Sequence, residues 1–394
     1  MKILHTADWH LGRRPAGGLG NYSETRYQDF FVAADHLVKT AIQEKVDLVL
    51  ISGDLFDSNR IDPDTLYKAE NILKLLKDAN ITLLAIEGNH DVSYDRTSWL
   101  NYLEKKQLLK NLSFSRNDNI FEFKPYIYNG IHIYGIPYQG AFIEETLQKL
   151  AENIEGQDNI VICHTAISND ENGRLLLPGC TEEKIINLFR EKVMYFAAGH
   201  FHSYRVYPKN EPFFFIPGSL EYWDLREKEP KGYIIFDVDT KTHKFYHSYK
   251  RKRSIYKIKL SELEDYINNI NISEDEIIIF DIIIDKSKIP IWDEIKGLLK
   301  TKGALYVDFE TYFPEDYGQS DYNISSLNKE QIEKNIILSW NNLFSKTEKN
   351  VELTFEFLQE AKNRVHEGEK SSELIFSYFD KLLDEIIEVN NNDN

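Results

Sequence analysis

The chain has 394 residues with a net charge of −17, 42% hydrophobic and 28% charged residues. That length exceeds one compact core and the composition excludes a disordered chain. Two cysteines, Cys163 and Cys180, exclude a disulfide scaffold, and the acidic balance argues against a bulk electrostatic grip on nucleic acid while leaving room for local basic patches and metal cations.

The start, MKILHTADWHLG, lacks the apolar core of a signal peptide, and no apolar run is long enough to span a bilayer; a reducing cytoplasm is the simplest home. KILHTAD (2–8) reads as a strand. Over 23–45, Phe30, Phe31, Ala34, Leu37, Val38 and Ala41 recur at helical spacing behind a capping serine. VDLVLIS (46–52) is a strand apolar on both faces, 62–79 is a helix with proline in its first turn, and TLLAIEG (82–88) is another strand. This alternation implies a largely parallel sheet. Asn129-Gly130 between alternating residues signals a hairpin over 126–137. NIVICH (159–164) and YFAAGH (195–200) read as core strands, and closely spaced apolar runs from 204 to 250 suggest a second sheet. The fold expected for residues 1–249 is therefore an α/β two-sheet sandwich flanked by helices.

A basic run, Lys250, Arg251, Lys252 and Arg253, follows. Residues 250–313 then read as a small α/β domain, 314–325 as a linker, 326–389 as helices and 390–394 as a frayed tail. The tail helices carry large apolar residues, among them Trp340, Phe357 and Phe379, with little room for a core of their own, a pattern that fits partner binding.

Five of these strands stop at residues able to hold a metal: Asp8 and His10, Asp54, Asn89 with His90 and Asp91, His164, and His200 with His202. Ligands of open α/β sheets bind beyond the carboxyl ends of the strands, so these scattered positions converge on one crevice. Mixed oxygen and imidazole donors suit manganese, iron or zinc better than magnesium or calcium. Seven donors are too many for one ion with open positions and suit two ions sharing a carboxylate, with Asp54 the best bridge. Two divalent cations against Asp8 and Asp54 leave a charge of about +2 for an anionic phosphodiester. Lone strand caps would explain any one of these positions, but not all five together. His5, His36, His132, His243, His247 and His366 lack such a context and read as structural, and Cys163 as a core residue.

The order D-x-H, G-D, G-N-H-D, H, G-H-x-H over about residues 1–245 resembles the calcineurin-like metallophosphoesterases. MKILHTADWHLG, SGDLFDSN, IEGNHD, GHFHSY and IPGSLEYWD narrow the resemblance to SbcD-type nucleases, relatives of the meiotic-recombination-eleven repair nuclease. The resemblance implies a DNA-capping role for 250–313 and binding of the 326–389 helices to an SMC-like ATPase of the SbcC or radiation-fifty type. It implies a homodimer acting on DNA ends, hairpins and single strands, with two Mn²⁺ ions and a place at the nucleoid. It puts Asp8, His10, Asp54 and His202 on one ion, and Asp54, Asn89, His164 and His200 on the other. His90 is then the catalytic acid. Archaeal relatives often place a histidine where Asp57 stands, as it does in bacterial SbcD proteins; a carboxylate beside His90 would favour its proton-donating form. Arg13, Arg14 and the run 250–253 are candidate DNA contacts, with a solvated surface the bland reading. A phosphatase, a cyclic-nucleotide phosphodiesterase and a non-catalytic scaffold are the alternatives.

Overall fold

The computed structural model describes residues 1–15, 20–92, 97–117, 120–168, 178–228, 230–285, 290–312 and 355–357. In chain order, β1 (Lys2–Thr6), α1 (Gly20–Gln43), β2 (Leu48–Ile51), α2 (Pro63–Asp78), β3 (Thr82–Ala85), α3 (Trp99–Lys105) and β4 (Lys110–Asn111) build one half of a sandwich. A small hairpin, β5 (Ser115–Asn117) and β6 (Ile120–Glu122), leads to the other half. That half holds β7 (Tyr126–Tyr128), β8 (Ile131–Ile136), α4 (Ile143–Asn153), β9 (Asn159–Cys163), the short pair β10 (Ala166–Ile167) and β11 (Cys180–Thr181), the single turn α5 (Glu183–Ile186), β12 (Tyr195–Ala198), β13 (Arg205–Tyr207) and β14 (Phe214–Ile216). The chain then returns to the first sheet with β15 (Gly232–Asp237) and β16 (Thr242–His247).

The strand order is β16-β15-β1-β2-β3-β4 in the first sheet and β13-β14-β12-β9-β8-β7 in the second. β1 to β4 run parallel to one another, as do β8, β9, β12 and β14. Each parallel block therefore delivers its carboxyl ends to one edge. Leu48, Leu50 and Leu84 of the first sheet meet Ile133, Ile160, Ile162, Tyr195 and Phe215 of the second in a buried layer. α1, α2 and α3 cover the outer face of the first sheet, and α4 and α5 that of the second. β2 is buried at all four positions, which is why its sequence is apolar on both faces.

Local chemistry sets the element ends. Asp62 caps α2, its side chain accepting from Thr65 N at 2.8 Å, with Pro63 in the first turn as expected. α1 begins at Gly20, so Ser23, expected as its cap, lies buried inside the first turn. Asn129 and Gly130 both take positive φ (49° and 84°), the conformation a tight two-residue hairpin requires.

β17 (Arg253–Lys259), α6 (Leu263–Asn269), β18 (Glu276–Ile283), α7 (Trp292–Thr301) and β19 (Ala304–Tyr312) form the small α/β layer, a three-stranded sheet ordered β17-β18-β19. This layer, called the cap below, has its own sheet, yet residues 1–282 and 286–310 form one compact unit rather than parting at 249/250. Residues 283–285 and 311–394 form a second unit. The expected linker, Trp340, Phe379 and the 390–394 tail lie outside the described residues; Phe357 sits half-buried on the helical stretch 355–357. Cys163 and Cys180 are buried thiols. Among the described residues no helix is long and apolar enough to cross a membrane.

Candidate metal centre

The site is built from the loops that leave five parallel strands. The loops after β1 and β2 stay paired past the strand ends: Asp8 N donates to Gly53 O at 3.1 Å and His10 N to Asp54 O at 3.1 Å. Asp8, His10, Asp54 and His200 all hold left-handed φ values (52°, 47°, 52° and 79°). Non-glycine residues adopt that region at a cost, and such strain concentrates where side chains must be aimed. The neighbouring glycines have a steric reason. A Cβ on Gly88 would collide with the Asp54 carboxylate and amide, and one on Gly199 with the Ser52 carbonyl.

Three overlapping groups result among the described residues, Asp8 with His10 and His202, Asp8 with Asp54 and His164, and His10 with Asp57 and His90, the ligating atoms of each lying within 4.8 Å of one another. Asp54 Oδ2 stands between the first two, 3.9 Å from His10 Nε2 and 3.4 Å from His164 Nε2. Asn89 Oδ1 lies 3.0 Å from both His164 Nε2 and His200 Nδ1.

The outward bonds of the rings decide what the inward atoms are. His164 Nδ1 donates to the Ser52 carbonyl at 2.7 Å, His202 Nδ1 to Glu227 at 2.8 Å and His200 Nε2 to the Pro178 carbonyl at 3.1 Å. A neutral ring that donates from one nitrogen presents a lone pair on the other. Lone pairs therefore face the Asp54 and Asn89 oxygens, and His10 Nε2 and His202 Nε2 face each other at 3.0 Å. Asp8 Oδ2 is buried with no hydrogen-bond partner among the described residues. With the rings neutral these nitrogens and oxygens converge as acceptors, and the donor set fits divalent metal ions. Burial lowers the His164 pKa, but the Asp54 and Asp8 carboxylates outweigh it and raise it to about 9. Burial holds His10 and His200 down at about 4, neutral and available as ligands near pH 7, and raises Asp8 to about 6.

The profile of the Calcineurin-like phosphoesterase family matches residues 1–204. Three curated relatives extend the comparison. The DNA double-strand break repair protein Mre11 of Sulfurisphaera tokodaii is 31% identical over 73% of this chain and 74% of its own. That of Methanosarcina mazei is 28% identical over 78% of this chain and 49% of its own. The SbcD component of the SbcCD nuclease of Staphylococcus saprophyticus is 30% identical over 60% of this chain and 66% of its own. The chain is a calcineurin-like phosphoesterase of the Mre11/SbcD family. It spans about half the length, 49%, of the Methanosarcina mazei protein.

Within this family fold, His90 stands beside the cluster, its ring centroid 4.8 Å from that of His10. Its Nδ1 donates to the Asp57 backbone carbonyl at 2.7 Å and its amide to Asp54 Oδ1 at 2.8 Å. The Asp57 carboxylate lies within 4.8 Å of a His90 ring nitrogen as expected, while the hydrogen bond to the ring is made by the Asp57 carbonyl. The carboxylate turns to His10 Nδ1 (3.2 Å), Trp223 Nε1 (2.9 Å) and Arg13 (3.5 Å), because Asp57 N pairs with Leu11 O and lays the residue along the β1 loop.

The candidate DNA contacts are engaged within the protein. The Arg13 guanidinium lies 3.5 Å from the Trp223 ring centroid, and Arg14 pairs with Glu24. Arg251 grips Asp29 through two bonds of 2.6 and 2.7 Å, Lys252 pairs with Glu276 at 3.0 Å, and Arg253 donates to the carbonyls of Leu225 and Glu227. The Lys250 ammonium lies over the Tyr222 ring at 5.3 Å.

Sequence reasoning missed the bracing groups. Glu227 orients His202, and Asp91, among the strand-end candidates, instead accepts from Leu55 N, Phe56 N and Gly88 N (3.2, 3.0 and 2.9 Å), tying two ligand loops together. Trp223 lies in the motif IPGSLEYWD, so a signal existed for it; the Ser52 carbonyl has no side-chain signature at all.

Proposed function

We propose that this chain hydrolyses DNA phosphodiester bonds with two divalent metal ions, as a 3′–5′ exonuclease on duplex ends and an endonuclease on single strands and hairpins. The observation that carries the reading is the cluster of mutually facing acceptors around Asp8 and Asp54. In this reading Asp8, His10, Asp54 and His202 hold one ion and Asp54, Asn89, His164 and His200 the other. Mixed carboxylate and imidazole donors favour Mn²⁺. The ions, when bound, supply Lewis-acid stabilisation of charge on the phosphate. His90 commits Nδ1 to the Asp57 carbonyl, and its Nε2 is the atom that delivers a proton to the leaving 3′ oxygen. Asp57 steadies His10 and, through its carbonyl, the His90 ring. The names of the relatives, a DNA double-strand break repair protein and a component of the SbcCD nuclease, support DNA as substrate and an SbcC-type ATPase as partner of the 326–389 segment, with a homodimer working at the cytoplasmic nucleoid.

The test is cleavage of linear duplex, hairpin and single-stranded DNA with Mn²⁺ or Mg²⁺, with and without the cognate ATPase. Metal-dependent cleavage abolished by chelator is expected. Hydrolysis of phosphomonoesters with no cleavage of DNA would move the chain to the phosphatase reading.

A further inference from the structure

The segment Tyr222–Glu227 has two sides, and they answer to different parts of the molecule. One side is fastened to the cap. Arg226 donates to Asp281 of β18 at 2.7 Å and pairs with Glu310 of β19 at 2.6 Å, with Asp308 at 3.6 Å. Arg253, the first residue of β17, takes the carbonyls of Leu225 and Glu227 and lies 3.7 Å over the Tyr222 ring. Leu225 packs against Ile277, Ile279 and Leu305 of the cap core. Every cap strand therefore holds this short segment.

The other side faces the metal cluster, and only one half of it. Glu227 Oε1 accepts from His202 Nδ1 at 2.8 Å, while its Oε2 accepts from Trp223 N at 3.0 Å and from the fully buried Lys231 Nζ at 2.8 Å. Lys231 also donates to the His202 carbonyl at 2.7 Å. Trp223 Nε1 bonds the Asp57 carboxylate at 2.9 Å, and that carboxylate contacts His10 Nδ1 at 3.2 Å. His10 and His202 are thus both braced through the segment. His164 and His200 are braced by the Ser52 and Pro178 carbonyls instead.

We propose that Tyr222–Glu227 transmits the position of the cap to the His10/His202 half of the metal centre, with Arg226 the positioning residue that joins them. Groups that orient a ligating imidazole set its affinity, and losing one typically weakens metal binding about 10–100-fold. Displacing the segment from the cap side swings Glu227 and Trp223 together and loosens one ion, leaving the other held by loops the cap does not grip. A substrate that shifts the cap would tune one ion only. The inference rests on the two-ion reading above.

The experiment is Mn²⁺ binding to the full chain, followed by calorimetry and by electron paramagnetic resonance. The unmodified protein is expected to take up two ions. Glu227→Gln should weaken one of them about 10–100-fold. Arg226→Ala should weaken the same ion by less, Arg226→Lys should restore part of the loss, and in a His202→Ala background Arg226→Ala should have a smaller effect, the part carried through Trp223, Asp57 and His10. Glu310→Gln, on a half-exposed cap side chain, removes a partner of Arg226 without touching the segment and should act in the same direction. Equal weakening of both ions, or no change in either, overturns the inference while the two-ion reading stands. Fewer than two ions in the unmodified protein overturns that reading and this inference with it.

Discussion

Asp54 divides its two oxygens between two tasks. Oδ1 accepts the His90 amide at 2.8 Å, and Oδ2 stands between His10 and His164. Asp54→Ala should therefore empty both ion positions, read as metal content after dialysis; one tightly held ion in the variant would deny the bridging role. His90 lies with His10 and Asp57 in a group of its own, apart from the two groups that contain Asp8, and we propose that it acts as an acid and not as a ligand. His90→Ala should keep both ions and lose about 10²–10⁴-fold in cleavage rate, the range of a positioned acid. Metal loss in that variant would make His90 a ligand. Gly88 lies against the Asp54 backbone and carboxylate, so Gly88→Ala should lower stability by roughly 1–3 kcal/mol, the usual range for overpacking, and weaken metal binding, both measurable in one melting series with and without Mn²⁺. The candidate ligands were legible at this scale because Asp, Asn and His end each strand. The left-handed φ values of Asp8, His10 and Asp54 and the direction of the Asp57 carboxylate were not, since both depend on how the β1 and β2 loops pair.

At the scale of elements, periodicity revealed β1, α1, β2, α2 and β3 to within three residues at each end, because burial on one or both faces writes itself into the sequence. What it hid were functions of polar side chains between elements. The basic run 250–253 reads as a solvated or DNA-facing patch, but Arg251 joins Asp29 of α1 to the start of the cap, in contact with buried Arg26 and Glu221 through that network. Arg251 is partly exposed and Asp29 keeps Arg26, so Arg251→Ala should lower the melting point without unfolding the chain; an unchanged melting point would return the residue to the surface. His5 of β1 shows a second hidden role. It lies fully buried, bonded to Tyr195 OH and Ser52 Oγ at 2.9 Å, and burial lowers its pKa to about 3. The unfolded chain protonates this residue below about pH 6.5 while the folded chain excludes the proton. Its contribution is therefore complete above about 6.5 and falls as the pH drops from there toward 3. In chelator, His5→Gln should flatten the fall in melting temperature between pH 7 and pH 5, and parallel curves for the two proteins would refute the assignment.

At the scale of the molecule, a sheet order with two parallel blocks brings residues from Asp8 to His202 into one centre, and the family match covers that same stretch. That there are two sheets was legible, but not their membership: of the runs from 204 to 250 expected to form the second sheet, β13 and β14 join it while β15 and β16 return to the first, because β15 pairs with β1 across more than 200 residues of chain. The attachment of the cap was not legible either, because ion pairs such as Arg226 with Asp281 and Glu310 join residues far apart in the chain. For the 326–389 segment the sequence remains the guide. A chain ending after Gln319 should keep its metal content and basal cleavage and lose co-purification with the ATPase; unchanged ATPase affinity would move the partner site elsewhere. The central claim, that two ions sit between these loops, is tested most directly by anomalous scattering at the manganese edge from crystals grown with Mn²⁺. Two peaks are expected, one among Asp8, His10, Asp54 and His202 and one among Asp54, Asn89, His164 and His200. A single peak, or peaks away from Asp54, would contradict it.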